Sequence, residues 1–117
     1  MELVALPSPA GSATLELLVG DQILKVFDRG DTPVSSGPLV VLLHGVASRL
    51  GPHSGESGIR PLGAGRFRIS GQRGGALAPG FFLLTARVPF VIYSEAGLPE
   101  SEAVWVETAP PLMGFRP

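Results

Sequence analysis

Charge is sorted along this chain. Between Ser57 and Ser94 there is no acidic residue, yet five arginines occur there: Arg60, Arg66, Arg68, Arg73 and Arg87. The segment that follows, 95–108, carries Glu95, Glu100, Glu102 and Glu107 and no base. Guanidinium and carboxylate groups form strong, directional hydrogen-bonded pairs, so segregated blocks of this kind have three uses. They pair inside one fold. They meet across copies of a subunit, head to tail, fixing register and specificity. Or the guanidiniums take phosphates. Arg66 and Arg68 stand at i and i+2, so in an extended segment they project from one face. Phosphate is the least favoured use, because the stretch has no Lys and the chain's net charge is −1. Phe67 between them reads as core, not as a base-stacking platform. The candidate interface is therefore Arg60, Arg66, Arg68, Arg73 and Arg87 with Glu100, Glu102 and Glu107. The expected partners are other protein subunits, and nucleic acid is not among them.

Catalysis asks for titratable groups that converge in a pocket, and the chain offers little of that. It has two His and no Cys, which removes thiolate metal sites and disulfides. His44, His53 and Glu56 do not follow a conventional metal-ligand spacing. Pro38-Leu39-Val40-Val41-Leu42-Leu43-His44-Gly45 resembles the strand and oxyanion-loop start of α/β-hydrolases. The G-x-S-x-G elbow of that family is missing, and Gly55-Glu56-Ser57-Gly58 has its Gly in the wrong place. The segment reads as a buried strand ending at a His and a turning Gly. Gly63-Ala64-Gly65 lacks the third Gly of a dinucleotide fingerprint, with Arg68 in its place, and leads into a strand. Arg29-Gly30-Asp31 spells the tripeptide recognised by integrins, and its residues also suit a simple turn. No catalytic, metal or cofactor site is expected.

The elements that must position these residues are strands. Gly (16) and Pro (12) are so evenly spread that the longest stretch free of both is Glu100–Ala109. An average helix needs about 11–12 residues, and interior Gly or Pro costs it about 1 or 3 kcal/mol. Yet 44% of residues are apolar and the mean hydropathy is +0.33. The expectation is an all-β single domain over 1–117, a small sandwich or barrel, jelly-roll-like or immunoglobulin-like. It should have roughly six to eight short strands and essentially no helix.

The clearest unit is a hairpin, 13–19 against 22–28, around Gly20-Asp21. Pairing Val19 with Gln22 sets Leu17 against Leu24, Leu15 against Val26, Glu16 against Lys25 and Leu18 against Ile23. A one-residue slip would swap every face. Further strands are expected at 39–44, 66–70, 81–87, 90–94 and 103–108, with a break at Pro89 and turns at 71–75 and 95–100. Residues 49–65 hold five Gly and two Pro. They read as a long Gly-rich loop, a place to look for a partner. Residues 109–117 read as an extended Pro-rich tail.

Charged residues are 16% of the chain, against roughly 25% in typical soluble domains. Low charge with high apolar content is what a subunit with covered surface shows. The expected role is a non-catalytic structural subunit of a homo- or hetero-oligomeric assembly. Virus and phage particles use such subunits as capsid, decoration or connector proteins. The alternative is a β-sandwich module binding a small ligand or glycan, with Trp105 and Tyr93 as its platform. The first residues, Met1 to Pro7, have no basic region, so no signal peptide is expected. No apolar run reaches the roughly 18 residues of a membrane helix. A cytoplasmic or particle-bound location is the corresponding expectation.

Overall fold

A computed structural model of the chain describes residues 2–6, 14–28 and 37–116. The Arg29-Gly30-Asp31 turn lies outside the described residues. The strands are β1 (Glu2–Ala5), β2 (Thr14–Val19), β3 (Gln22–Asp28), β4 (Gly37–Val40), β5 (Leu42–Pro52), β6 (Gly58–Gly63), β7 (Arg66–Ala78), β8 (Phe81–Ala86), β9 (Val88–Tyr93) and β10 (Ala103–Phe115). Among the described residues there is no helix. The chain is all-β, as its punctuation predicts, with ten strands among the described residues where six to eight were expected.

All ten belong to one sheet in the order β4-β1-β2-β3-β10-β5-β9-β8-β7-β6, and β10 also pairs with β7. That additional pairing closes β10-β5-β9-β8-β7 into a barrel. β6 extends the sheet beyond β7, and the β4-β1-β2-β3 layer extends it beyond β10. β10 serves both parts. Its first half, Ala103–Glu107, lies between the end of β5 and β7. Its second half pairs with the start of β5 and, in parallel, with β3. Pro110 and Pro111 fall at the register shift between the halves, where their missing N–H groups cost no ladder bond.

The β2–β3 hairpin has the register its side chains demand, from Val19↔Gln22 through Leu15↔Val26. Gly20 has φ +61° while Asp21 does not enter the left-handed region, the pattern of a type II′ turn. The inward faces merge into one core. Leu15, Leu17, Leu24 and Val26 come from the hairpin layer, and Ile69, Phe82, Phe90, Ile92, Val104 and Leu112 from the barrel. The hairpin is also pinned to β6, where the Gln22 side-chain amide donates to the Ile59 carbonyl at 2.8 Å.

Four segments differ from expectation. The supposed loop 49–65 is the end of β5, a short link at 53–57, and the β6–β7 hairpin. Its glycines serve strands and a turn. A Cβ on Gly51 would lie 2.8 Å from the Trp105 Nε1, so the indole packs over that glycine. Pro61 is tolerated because β6 is a sheet edge. Residues 71–75 are strand, not turn, and β7 runs on to Ala78. A side chain at Gly71 would collide with the Thr85 carbonyl oxygen, so glycine marks the close approach of β7 and β8. The tail 109–117 is β10 through Phe115. The break expected at Pro89 falls instead at Arg87, whose φ of +63° turns β8 into β9, while Pro89 pairs with Thr85.

Candidate functional site

Register brings part of the predicted interface together. Across β6, β7, β10 and β5, four directly paired residues form one row: Arg60↔Arg68↔Glu107↔Arg49. Paired residues share a face, and this face is outward, because Phe67, Ile69, Val104 and Val106 between them are core. Glu107 bridges two arginines. Its Oε1 lies 3.5 Å from Arg49 and its Oε2 3.4 Å from Arg68. Trp105 stands in the next row, between Ser70 and Gly51. The Arg68 guanidinium lies 4.2 Å from the indole centroid and that of Arg49 5.6 Å, both within cation–π range. Arg60 completes the row and has no ion pair among the described residues.

The remaining interface residues go elsewhere. Arg73 pairs with the buried Leu84 and stands on the inner side of β7, at one mouth of the barrel. Its Nε donates to the Ser101 carbonyl at 3.0 Å and its backbone N–H to that of Glu102 at 2.7 Å. It ties down the 95–102 loop through backbone oxygens instead of carboxylates. Arg87 sits at the β8–β9 turn, 3.8 Å from Asp21 at the β2–β3 turn. Arg66 is exposed beside the β6–β7 turn and lines a cleft shared with Lys25 and Phe27. Glu100 and Glu102 are exposed and unpaired among the described residues. Two ionic residues outside the sorted blocks matter as much. Arg49 shares Glu107, and Arg116 holds Asp28 through two hydrogen bonds of 2.9 and 3.0 Å. No local pattern marks either of them.

A second surface is apolar. One row crosses six strands, Thr14↔Phe27↔Met113↔His44↔Val91↔Leu83. Leu42 and Phe115 pair beside it, as do Phe81 and Tyr93, with Val46 opposite Tyr93. Leu42 is 43% exposed and Phe115 36%. Beside Phe115 lies an open groove of about 450 Å³, lined by His44, Val46, Phe81, Tyr93, Met113 and Phe115. The His44 ring is 4.5 Å from that of Phe115, and burial lowers its pKa below the ordinary imidazole value. Tyr93 belongs to this groove. Trp105 does not: along β5 their partners are Val46 and Gly51, so the two aromatics do not form a single platform.

The His53 ring bonds the Glu56 carbonyl oxygen at 2.9 Å, and its backbone N–H donates to the Ala103 carbonyl. Among the described residues no three His, Asp or Glu side chains gather as a metal site. No helix there is long and apolar enough to cross a membrane. No family model, curated protein or solved structure matches the chain.

Proposed function

We propose that the chain is a non-catalytic structural subunit. It docks onto other protein subunits, its own copies or a shell protein, in an assembly of the kind that builds virus or phage particles. The observation that supports this reading is the apolar row across β3, β10, β5, β9 and β8 with its aromatic groove. On this face Phe27 (37%), Leu42 (43%), Val46 (39%) and Phe115 (36%) are exposed, and exposed apolar side chains grouped in this way mark protein contacts. Aromatic and Met side chains are also the residues enriched at interface centres. The low charge content of the chain has the same explanation: part of the surface is meant to be covered.

Sedimentation of the wild-type chain beside the double variant Leu42→Asp/Val46→Asp tests this. Both side chains point outward, so the variant should keep its far-UV circular dichroism while losing concentration-dependent association. A wild-type chain that stays monomeric up to about 1 mM, where even a contact of about 4 kcal/mol shows, and that binds no apolar dye would refute the reading.

A further inference from the structure

The charged row is one carboxylate short. Read across β5, β10, β7 and β6 it runs Arg49, Glu107, Arg68, Arg60. Glu107 sits between its two arginines and spends both oxygens on them. One strand further on, where a second carboxylate would continue the alternation, there is another arginine. Like charges directly opposite on an antiparallel pair repel, and nothing among the described residues relieves Arg60. Beside Arg60 and Arg68 lies a cleft of about 270 Å³ bordered by His53, Gly58 and Ser70. Glu56 is on its rim without an ion pair to either arginine. Even with Glu56 counted, three guanidiniums face two carboxylates.

The same chain displays the complement. Glu95, Glu100 and Glu102 are exposed on the 95–102 loop and have no ion pair among the described residues. The loop is held in shape by its backbone. Gly97 N–H bonds the Ser94 carbonyl at 3.1 Å, and Arg73 grips the carbonyls of Ser101 and Glu102. A loop already ordered loses little freedom on docking. We infer that Arg60 and Arg68 form a carboxylate-receiving site, and that the Glu95–Glu102 loop of a second copy fills it. This rests on the assembly reading and names the contact that sets its register, with the apolar face supplying the bulk of the adhesion.

Trp105, the chain's single tryptophan, reports on the site because Arg68 lies over its ring. The test titrates the full chain at an ionic strength of about 10 mM, where screening is weak, and follows Trp105 emission. The probes are a synthetic peptide of residues 95–102, the same peptide with its Glu replaced by Gln, succinate and inorganic phosphate. The expected result is a saturable response to the acidic peptide, at least about tenfold tighter than to succinate or phosphate. The Gln peptide should give none. Arg60→Glu should weaken the response at least about tenfold, since Arg60 is exposed and its exchange leaves the core alone. A silent acidic peptide, an equal response to the Gln peptide, or an unaffected Arg60→Glu variant would overturn the inference. So would succinate or phosphate binding as tightly as the peptide. Self-association lost in Leu42→Asp/Val46→Asp beside a silent peptide would leave the assembly reading standing and sink only this contact. A responsive peptide with a chain that stays monomeric would sink both, because no second copy would then bring its loop to the site.

Discussion

Removing Arg116 should loosen the junction between the hairpin layer and the barrel. There, among the described residues, β3 and β10 run in parallel through two bridged positions, Phe27↔Met113 and Asp28↔Gly114. Arg116 reinforces them. Its Nε and one terminal nitrogen donate to the two oxygens of Asp28 at 2.9 and 3.0 Å, and the side chains are only 8% and 10% exposed. Forked pairing of this kind is geometrically specific. Arg116→Met keeps much of the aliphatic stem and deletes the cation that makes both of these hydrogen bonds to the Asp28 carboxylate. Breaking a buried pair from one side costs about 3–5 kcal/mol, and a pair at a strand end belongs at the lower limit, about 3 kcal/mol. An unfolding entropy of about 2.1 cal/mol/K per residue, over this chain's length, makes each kcal/mol worth about 4 °C. The melting temperature should therefore fall by about 12 °C in a calorimetric scan. The double variant Asp28→Leu/Arg116→Leu removes both members of the pair and should lose clearly less stability than Arg116→Met, because the pair is replaced and not broken from one side. The reasoning fails if Arg116→Met costs less than about 1 kcal/mol, the range of solvent-exposed pairs. It fails equally if the double variant is as unstable as the single one.

Three other perturbations have defined outcomes. Thr108 is fully buried, and its hydroxyl accepts from the Phe67 N–H and donates to the Phe67 carbonyl at the point where β10 parts from β7. Thr108→Val keeps the shape and orphans both groups, so urea titration should show a loss of about 1–3 kcal/mol. Arg87 holds a left-handed turn that costs a non-glycine residue about 1–2 kcal/mol. Arg87→Gly relieves it against an entropic cost of about 0.5–1 kcal/mol, so stability should be unchanged or slightly higher, and a clear loss would mean the Asp21 contact matters more than its exposure implies. Burial lowers the pKa of His44. The unfolded chain therefore takes up the proton at higher pH than the folded one, and stability falls as pH drops below about 6.5 toward the folded value while staying level above it. His44→Phe should flatten that part of the pH dependence of the urea midpoint, and an unaltered slope would exclude His44 as its source.

Local chemistry carried the parts of the fold that are local. The Gly and Pro spacing excludes helix residue by residue, and the β2–β3 register follows from a two-residue turn and five side-chain pairs. The misreadings all concern glycine and proline in places where a distant strand decides their meaning. Gly51 looks like a loop residue until Trp105 is known to lie on it, and Gly71 like a turn until β8 is known to pass its Cα. Pro61 stops a strand only if both edges of that strand are in use, and β6 has one. Each of these contacts joins residues far apart in the chain, so no window around the glycine or proline contains the information.

The sorted charges show the same divide in the site. Arg68 and Arg73 belong to one acid-free block, but they differ by an odd number of positions, and a strand sends them to opposite faces. One joins the outer row and the other closes the barrel mouth. Arg49 lies outside the block yet reaches the same carboxylate as Arg68, because β10 runs between β5 and β7. Charge sorting along a sequence therefore does not translate into a patch, since strand order redistributes it. What survives redistribution is an imbalance. Had the block served only internal pairing, the residue opposite Arg68 on β6 would be an acid, or neutral, and the edge strand would be more stable for it. Arg60 occupies that position instead, at a sheet edge beside an open cleft. An arrangement that costs the isolated chain stability is accounted for once the missing charge comes from outside it.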